Sequence, residues 1–347
     1  MMPEPKRVWN PPNPYLTEHR HLLGESPVAE LEIYEDQSKS ILSRNDSPDI
    51  GFRWSVNPYR GCFHACAYCY ARPTHEYFGF GAGTDFERKI FVKRRAPVLL
   101  EQAFRRLSWS GERVVFSGVT DCYQPLEAAW KLTRGCLEVC LKFRNPAAII
   151  TKSLLIRRDA ELLASLAQEA GAGVSISIAF LDEHVARVMD PGAPTIRRRF
   201  ETMELLAKAG VPVGIGIAPV IPGLNDADIP GLLMEARRRG ASFAFHTLLR
   251  LPGSVADVFF HRLRQQLPLK AARIEHRIRE VRRGALYDSR FGHRHQGEGQ
   301  YWESIERLWE VSARRLGFQE DEEAARERPS TFRRPPLGPQ LEFAWEG

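Results

Sequence analysis

From Trp54 to Leu267 the chain alternates short β-rich runs with helical runs, and this alternation narrows the choice of fold more than any other feature. WSVN (54–57), RVVFSGV (113–119), AAIITK (147–152), GVSISIAF (173–180), VPVGIGIAPV (211–220) and ASFAFHTLL (241–249) read as strands. PVLLEQAFRRL (97–107), LEAAWKLTRGCLEVCLKF (126–143), RDAELLASLAQEAG (158–171), IRRRFETMELLAKAG (196–210), DADIPGLLMEARRRG (226–240) and SVADVFFHRLRQQL (254–267) read as helices. Pro97 suits a first helical turn and Gly171 a helix stop. Ile196, Phe200, Met203 and Leu206 fall near one helical face. Strands separated by whole helices pair in parallel through right-handed crossovers. The fold class is therefore α/β. Six units suit an open doubly wound sheet or a partial (β/α)6 TIM-like barrel, and periodicity leaves both open. Either way the site lies at the C-terminal ends of the strands.

The alternation divides the chain into three regions. Residues 1–50 are rich in Pro, Asn and charge and read as an N-terminal extension, with one short helix near Val28–Tyr34. Residues 51–267 form the α/β unit. Residues 268–347 form a C-terminal extension, helical over 270–317, with an irregular Pro-rich tail, ERPSTFRRPPLGPQLEFAWEG. The length of 347 residues and 43% hydrophobic content suffice for a core of barrel size. No apolar run reaches the roughly 18 residues of a membrane helix, and MMPEPKRVWNPPNPYL lacks the apolar stretch of a secretory signal. A cytoplasmic protein with no membrane partner is expected.

Six cysteines fall in two groups: Cys62, Cys66 and Cys69, then Cys122, Cys136 and Cys140. Such clustering in an intracellular chain points to metal or redox chemistry rather than a disulfide framework. In NPYRGCFHACAYCYARP (57–73) three cysteines with C-x3-C-x2-C spacing share one short loop, so their thiolates serve one soft centre. Structural zinc needs a fourth ligand, which His64 or His75 would have to supply. An iron–sulfur cluster accepts three cysteines and leaves one iron open to a substrate or cofactor. Cys136 and Cys140 stand four apart in a helical pattern and read as buried packing residues.

The loop resembles the signature of the radical S-adenosylmethionine (SAM) superfamily: C-x3-C-x-Tyr-C directly after a first strand, with Tyr68 at the aromatic position. The family fold is a partial (β/α)6 barrel, in agreement with the six units. The resemblance implies a [4Fe–4S] cluster on Cys62, Cys66 and Cys69, with SAM chelated to the open iron. It also implies reductive cleavage of SAM to a 5′-deoxyadenosyl radical that abstracts hydrogen from substrate. CAYCYARPTHEY (66–77), SGVTDCYQPLE (117–127), IITKS (149–153), SISIAFLDE (175–183) and APVIPGLND (218–226) resemble the spore photoproduct lyase-like branch.

That resemblance carries further assignments. Lys152 and Ser177 are expected to hold the methionine moiety, Lys152 at its carboxylate, and Arg199 to reach the same carboxylate or to stand on the surface. Thr120 and Asp121 replace a Gly-Gly-Glu-like segment and either bind the methionine amino group or cap a helix. Ile217 and Ala218, in Gly214-Ile215-Gly216-Ile217-Ala218-Pro219, are expected to flank adenine, the glycines admitting a flat ring. Tyr70 matches a tyrosine implicated in hydrogen transfer, or packs beside the cluster. Cys122 is offset from the branch's hydrogen-donor cysteine and is expected to donate hydrogen, to act as a ligand or to pack. The branch implies a nucleic-acid substrate and an electron donor such as flavodoxin or ferredoxin. A peptide or small-molecule substrate is the alternative within the enzyme class.

The charge balance bears on the substrate. Lys and Arg total 49 against 43 Asp and Glu, a net +6. Much of the surplus lies in EHRIREVRRGALYDSRFGHRHQ (275–296), which reads either as a solvated helical surface or as a face for nucleic acid or phosphate. His293 and His295 there read as parts of a polar loop. From another functional class, an electron carrier or a zinc-stabilised binding protein fits the same cysteines. A brown anaerobic preparation that cleaves SAM separates the enzyme from both.

Overall fold

The computed structural model describes residues 9–18, 29–318 and 330–336. In chain order the strands are β1 (Glu32–Glu35), β2 (Leu42–Arg44), β3 (Trp54–Val56), β4 (Tyr59–Arg60), β5 (Lys89–Val92), β6 (Val114–Phe116), β7 (Ala147–Thr151), β8 (Ala172–Ser177), β9 (Val213–Val220) and β10 (Phe243–Leu248). The helices are α1 (Thr84–Arg88), α2 (Ala96–Arg105), α3 (Glu127–Trp130), α4 (Leu132–Lys142), α5 (Ala160–Ala170), α6 (Glu183–Met189), α7 (Ile196–Lys208), α8 (Ile229–Arg238), α9 (Val255–Gln266), α10 (Pro268–Glu280) and α11 (Gly299–Arg315).

The six strands of the alternation are β3, β6, β7, β8, β9 and β10, and they pair in parallel in that order. Each new strand adds to the same side of its predecessor. A doubly wound sheet reverses direction part-way, so the monotonic order makes this a partial barrel. β2 adds antiparallel to β3 and forms one edge, and β10 forms the other. The sheet does not close. Side chains and one backbone bond bridge the seam instead. The Leu248 amide donates to the His295 carbonyl at 3.1 Å, and Arg294 of that loop pairs with Asp49, just beyond β2, at 2.6 Å.

Alternation along the strands gives the barrel its two faces. Val56, Phe116, Ile149, Val174 and Ile215 are buried in the continuous hydrophobic core. On the opposite face, Ser175, Gly214 and Phe243 share one row of the ladder, and Ser177, Gly216 and Phe245 the next. A Cβ on Gly214 would lie 2.3 Å from the Phe243 ring, and one on Gly216 2.7 Å from the Phe245 ring. The two glycines therefore clear space for phenylalanines of β10. This corrects the expectation that they admit adenine, and moves any cofactor contact on β9 to its end, at Ala218.

A small sheet, β1–β5–β4, carries the cysteine loop, which leaves directly from β4. It also corrects the helix expected near Val28–Tyr34. Glu32–Glu35 pair in parallel with Lys89–Val92, while Val28 lies outside the described residues. The helix expected over 126–143 breaks at Lys131, whose φ is +52°, into α3 and α4. The helical stretch expected over 270–317 is interrupted between α10 and α11 by an irregular loop. Residues 330–336 run as irregular chain: Phe332 stacks on Phe143, and Arg334 donates to the Trp109 carbonyl at 2.6 Å. The rest of that tail lies outside the described residues. Among those described, no helix is long and apolar enough to cross a membrane.

Candidate functional site

The loop after β4 turns at Gly61, where φ is +78°. A Cβ there would sit 2.9 Å from the Phe86 carbonyl oxygen and from Ile90 Cδ1, so only glycine lets the loop fold back on α1 and β5. Two buried arginines then pin the loop. Arg72 donates through Nε and Nη2 to the Cys66 carbonyl at 2.9 and 2.7 Å, and Arg262 of α9 donates to the Ala65 carbonyl at 2.6 Å. Glu87 accepts from both guanidinium groups, at 2.6 and 3.1 Å, so neither charge is buried unpaired. The Ala67 amide donates to the Met189 carbonyl, which ties the loop to α6.

The loop holds Cys62 and Cys66 buried and Cys69 partly buried. Burial pushes the Cys66 and Cys69 thiols up, with Cys62 adding to both, and Cys69 reaches about 11. A bound cation would supply the charge that favours thiolates here. Among the described residues no three His, Cys, Asp or Glu side chains converge on one ion position. Thiolates on separate irons of one cluster need not converge.

Asp121 follows β6 and is nine-tenths buried. Its Oδ1 accepts from Thr151 Oγ1 at 2.7 Å and from the Tyr123 amide at 2.9 Å. Its Oδ2 accepts from the Lys152 amide at 2.8 Å and lies 3.2 Å from His64 Nδ1. Burial opposes the carboxylate, but the His64 charge and these hydrogen bonds outweigh it and hold Asp121 down at about 2. Burial likewise opposes the His64 imidazolium, and Asp121 and Cys62 push its pKa up to about 10. With both oxygens occupied, Asp121 joins the end of β7 to the cysteine loop. Thr120 donates to the Gly61 carbonyl at 2.5 Å and accepts from Gln124 at 3.2 Å.

A second polar group stands beside Cys66. It comprises the buried Tyr68, Asp190 and Arg199 and the partly buried Lys152. Lys152 Nζ lies 5.6 Å from the Tyr68 ring centre. Burial opposes the Lys152 ammonium, but Cys66 and Asp190 outweigh that and raise its pKa above the usual lysine value. Burial opposes the Asp190 carboxylate too, and Lys152 and Arg199 keep it lowered. Arg199 is not on the surface. It donates to the Pro194 carbonyl at 2.8 Å and the Ser177 carbonyl at 3.1 Å, and pairs with Asp190 at 3.4 Å. Tyr68 Oη and Asp190 Oδ1 are buried and make no hydrogen bond within 3.5 Å, although Tyr68 and Asp190 lie close enough for the tyrosine hydroxyl to help keep the carboxylate lowered. Such orphans are rare, and here they adjoin a thiol and a charged lysine.

Ser177 ends β8 in the same ladder row as Gly216. Ile217 is fully buried in the core, so only its backbone could meet a cofactor, whereas Ala218 is partly exposed. Asn225 clasps this end of the barrel: it donates to the Ala179 carbonyl at 2.6 Å and the Pro219 carbonyl at 3.0 Å. Tyr70 is 47% exposed at the mouth, with the Arg250 guanidinium 5.3 Å from its ring centre.

Cys122 lies elsewhere. It is 0% exposed, its carbonyl accepts from Thr133 of α4 at 2.5 Å, and burial raises its thiol well above the usual value. Its side chain is part of the main core, as are those of Cys136 and Cys140. Of the alternatives for Cys122, full burial favours packing, since a thiol with no exposed surface meets a molecule in the barrel only if its surroundings open. Sequence reasoning also missed Arg72, Asp190, Arg262 and Asn225, and considered His64 only as a zinc ligand. His64 and Arg72 lie inside the cysteine motif and Asn225 inside APVIPGLND, but Asp190 and Arg262 lie in no motif singled out.

The model of the radical SAM superfamily matches residues 56–236. The chain belongs to the radical SAM superfamily. The matched span runs from the end of β3 through α8 and contains the whole cysteine loop. The uncharacterised protein Rv2578c of Mycobacterium tuberculosis is 36% identical over 232 residues, covering 66% of this chain and 68% of that protein. The uncharacterised protein MJ0683 of Methanocaldococcus jannaschii is 27% identical over 240 residues, covering 69% and 85%. Spore photoproduct lyase complexed with dinucleoside spore photoproduct superposes with a TM-score of 0.59 at 15% identity, covering 83% of this chain and 81% of that one. The shared fold is that of a radical SAM enzyme, and this chain is such an enzyme. Its residues fit the cofactors the family implies: three thiols in one pinned loop, and orphaned buried polar atoms beside a charged lysine.

Proposed function

We propose that Cys62, Cys66 and Cys69 hold one [4Fe–4S] cluster and that SAM binds beside it at the C-terminal ends of the strands. When bound, these groups supply a 5′-deoxyadenosyl radical for hydrogen abstraction from substrate. Lys152 and Arg199 attract the methionine carboxylate. Tyr68 and Asp190 offer the unpartnered polar atoms that orient this end of the cofactor. Thr120 and Ser177 line the approach to the amino group, and Asp121 acts as a positioning residue that keeps Lys152 and the loop in register. The backbone at Ile217 and Ala218 flanks adenine. Tyr70 faces the substrate. The phenylalanine-lined barrel interior keeps water from the reacting atoms.

The observation that carries this reading is the juxtaposition of the pinned three-thiol loop with the charged, partly buried Lys152. A one-electron donor such as flavodoxin or ferredoxin is required, and a cytoplasmic setting suits a cluster that oxygen destroys. The basic 275–296 segment supports a nucleic-acid substrate, as does the likeness to spore photoproduct lyase. Anaerobic reconstitution followed by assay for 5′-deoxyadenosine tests the proposal. A chain that takes up iron and sulfide and cleaves SAM under reduction supports it. A fully loaded chain that never yields 5′-deoxyadenosine contradicts it.

A further inference from the structure

Two residues beyond β10, at the barrel mouth, the chain presents Arg250. Its guanidinium lies over the ring of Tyr70, the residue that follows Cys69, with Cζ 5.3 Å from the ring centre. A contact of this kind uses none of the guanidinium's N–H donors in a hydrogen bond. Nη2 reaches Tyr287 Oη only at 3.4 Å, long for a hydrogen bond, and Nε is buried without a partner. Among the described residues no carboxylate pairs with Arg250.

The surroundings add positive charge instead of relieving it. Arg282 is 7% exposed and spends both Nη groups on backbone carbonyls, those of His293 and Gln296 at 2.7 and 2.8 Å and those of Leu249 and Arg294 at 3.2 and 2.8 Å, which fixes a second guanidinium beside the first with only its Nε left over. Its Nε is also buried and unpartnered, as is His295 Nε2. Burial, together with Arg250 and Arg294, pushes the His295 pKa down to about 4. The nearby acids are committed elsewhere: Asp49 to Arg294 at 2.6 Å and Asp288 to Arg290 at 2.7 Å. Arg282 and Tyr287 also face a neighbouring cavity of about 370 Å³, which Arg250 and Tyr70 do not line and which Arg283, Arg290, Asp288 and Glu298 share. Buried guanidinium N–H groups rarely lack acceptors, and two on neighbouring arginines, Arg250 Nε and Arg282 Nε, indicate an acceptor still to be bound. A tetrahedral oxyanion takes donors from several directions, whereas one guanidinium fork satisfies a planar carboxylate.

We propose that this corner, centred on Arg250 and walled by Tyr70, binds a phosphate group of the substrate. The inference deepens the radical SAM reading and rests on it for the position of the site. A phosphorylated small molecule and a nucleic-acid backbone share this chemistry. Calorimetric titration of the full chain with p-nitrophenyl phosphate, bis(p-nitrophenyl) phosphate and p-nitrobenzoate tests the site and separates the sources. Binding of either phosphate is expected, with the monoester tighter for a small-molecule substrate and the diester tighter for a nucleic acid. Arg250→Met should weaken the preferred phosphate by about ten- to a hundredfold, the scale of a lost charge-assisted contact. Arg250→Lys should retain part of the affinity, with circular dichroism confirming both folds. No binding of either phosphate, unchanged affinity in Arg250→Met, or equal affinity for p-nitrobenzoate overturns the proposal. Titration needs no turnover, so a chain that cleaves SAM but binds no phosphate refutes this inference alone. One that binds phosphate but, fully loaded, never cleaves SAM refutes only the radical SAM reading.

Discussion

Two cysteine triplets divide this chain by environment. Cys62, Cys66 and Cys69 occupy a loop whose carbonyls are gripped by Arg72 and Arg262, with Lys152 beside Cys66. Cys122, Cys136 and Cys140 are fully buried in the main core, and nearby Glu127 adds to the burial that raises the Cys122 and Cys136 thiols. Burial raises thiols in both triplets. Only the first is served by cationic side chains that support anionic ligands, and only the first sits at strand ends where a ligand can enter. Burial therefore does not separate a metal site from a packing site, but its charged neighbours and its place in the fold do.

The largest effect expected from this contrast is on cluster loading. Cys66→Ala should lose the cluster and all SAM cleavage, read by iron and sulfide analysis. Normal iron in that variant would erase the distinction between the triplets. Next comes the grip on the loop. Arg72→Met removes a fully buried charge and leaves Glu87 with one partner, so it should destabilise the cluster-free chain by about 3–5 kcal/mol. Chemical denaturation measures this, and a change below about 1 kcal/mol would mean the loop is held otherwise.

Lys152→Ala sharpens the comparison at smaller cost. It should keep the cluster yet weaken SAM binding by roughly ten- to more than a hundredfold, the loss of one charge-assisted hydrogen bond. Unchanged binding by equilibrium dialysis would remove Lys152 from the cofactor site. The smallest effect belongs to the core triplet. Cys122→Ala, Cys136→Ala and Cys140→Ala should each keep full iron and cost about 1 kcal/mol, as small buried truncations do. Iron lost from any of them, with the fold intact, would reveal a metal role.

The barrel was legible because its strands and helices are separate in sequence and each shows its own period. β9, for instance, sits wholly inside the run VPVGIGIAPV. The small sheet was not, because β1, β4 and β5 have two to four residues each and owe their structure to partners distant in sequence. The short α6 was missed as well, although Asp182 caps it by accepting from the His184 and Val185 amides. The proposed metal loop could be read from spacing alone. Its supports could not: His64 meets Asp121, 57 positions further along the chain, and Arg262 reaches Ala65 from the last helix of the barrel. Cys122 shows the limit of local matching. Its neighbour Asp121 points to the end of β7 while Cys122 itself enters the core, so one step along the chain exchanges a site position for a packing position.

The central claim is that the loop triplet binds three irons of a four-iron cluster and leaves the fourth for SAM. Mössbauer spectroscopy of the chain reconstituted with iron-57, before and after SAM is added, tests it most directly. The account predicts a [4Fe–4S] signal in which about one quarter of the iron shifts on addition of SAM. A spectrum of mononuclear iron, or a four-iron signal that SAM leaves unchanged, would contradict it.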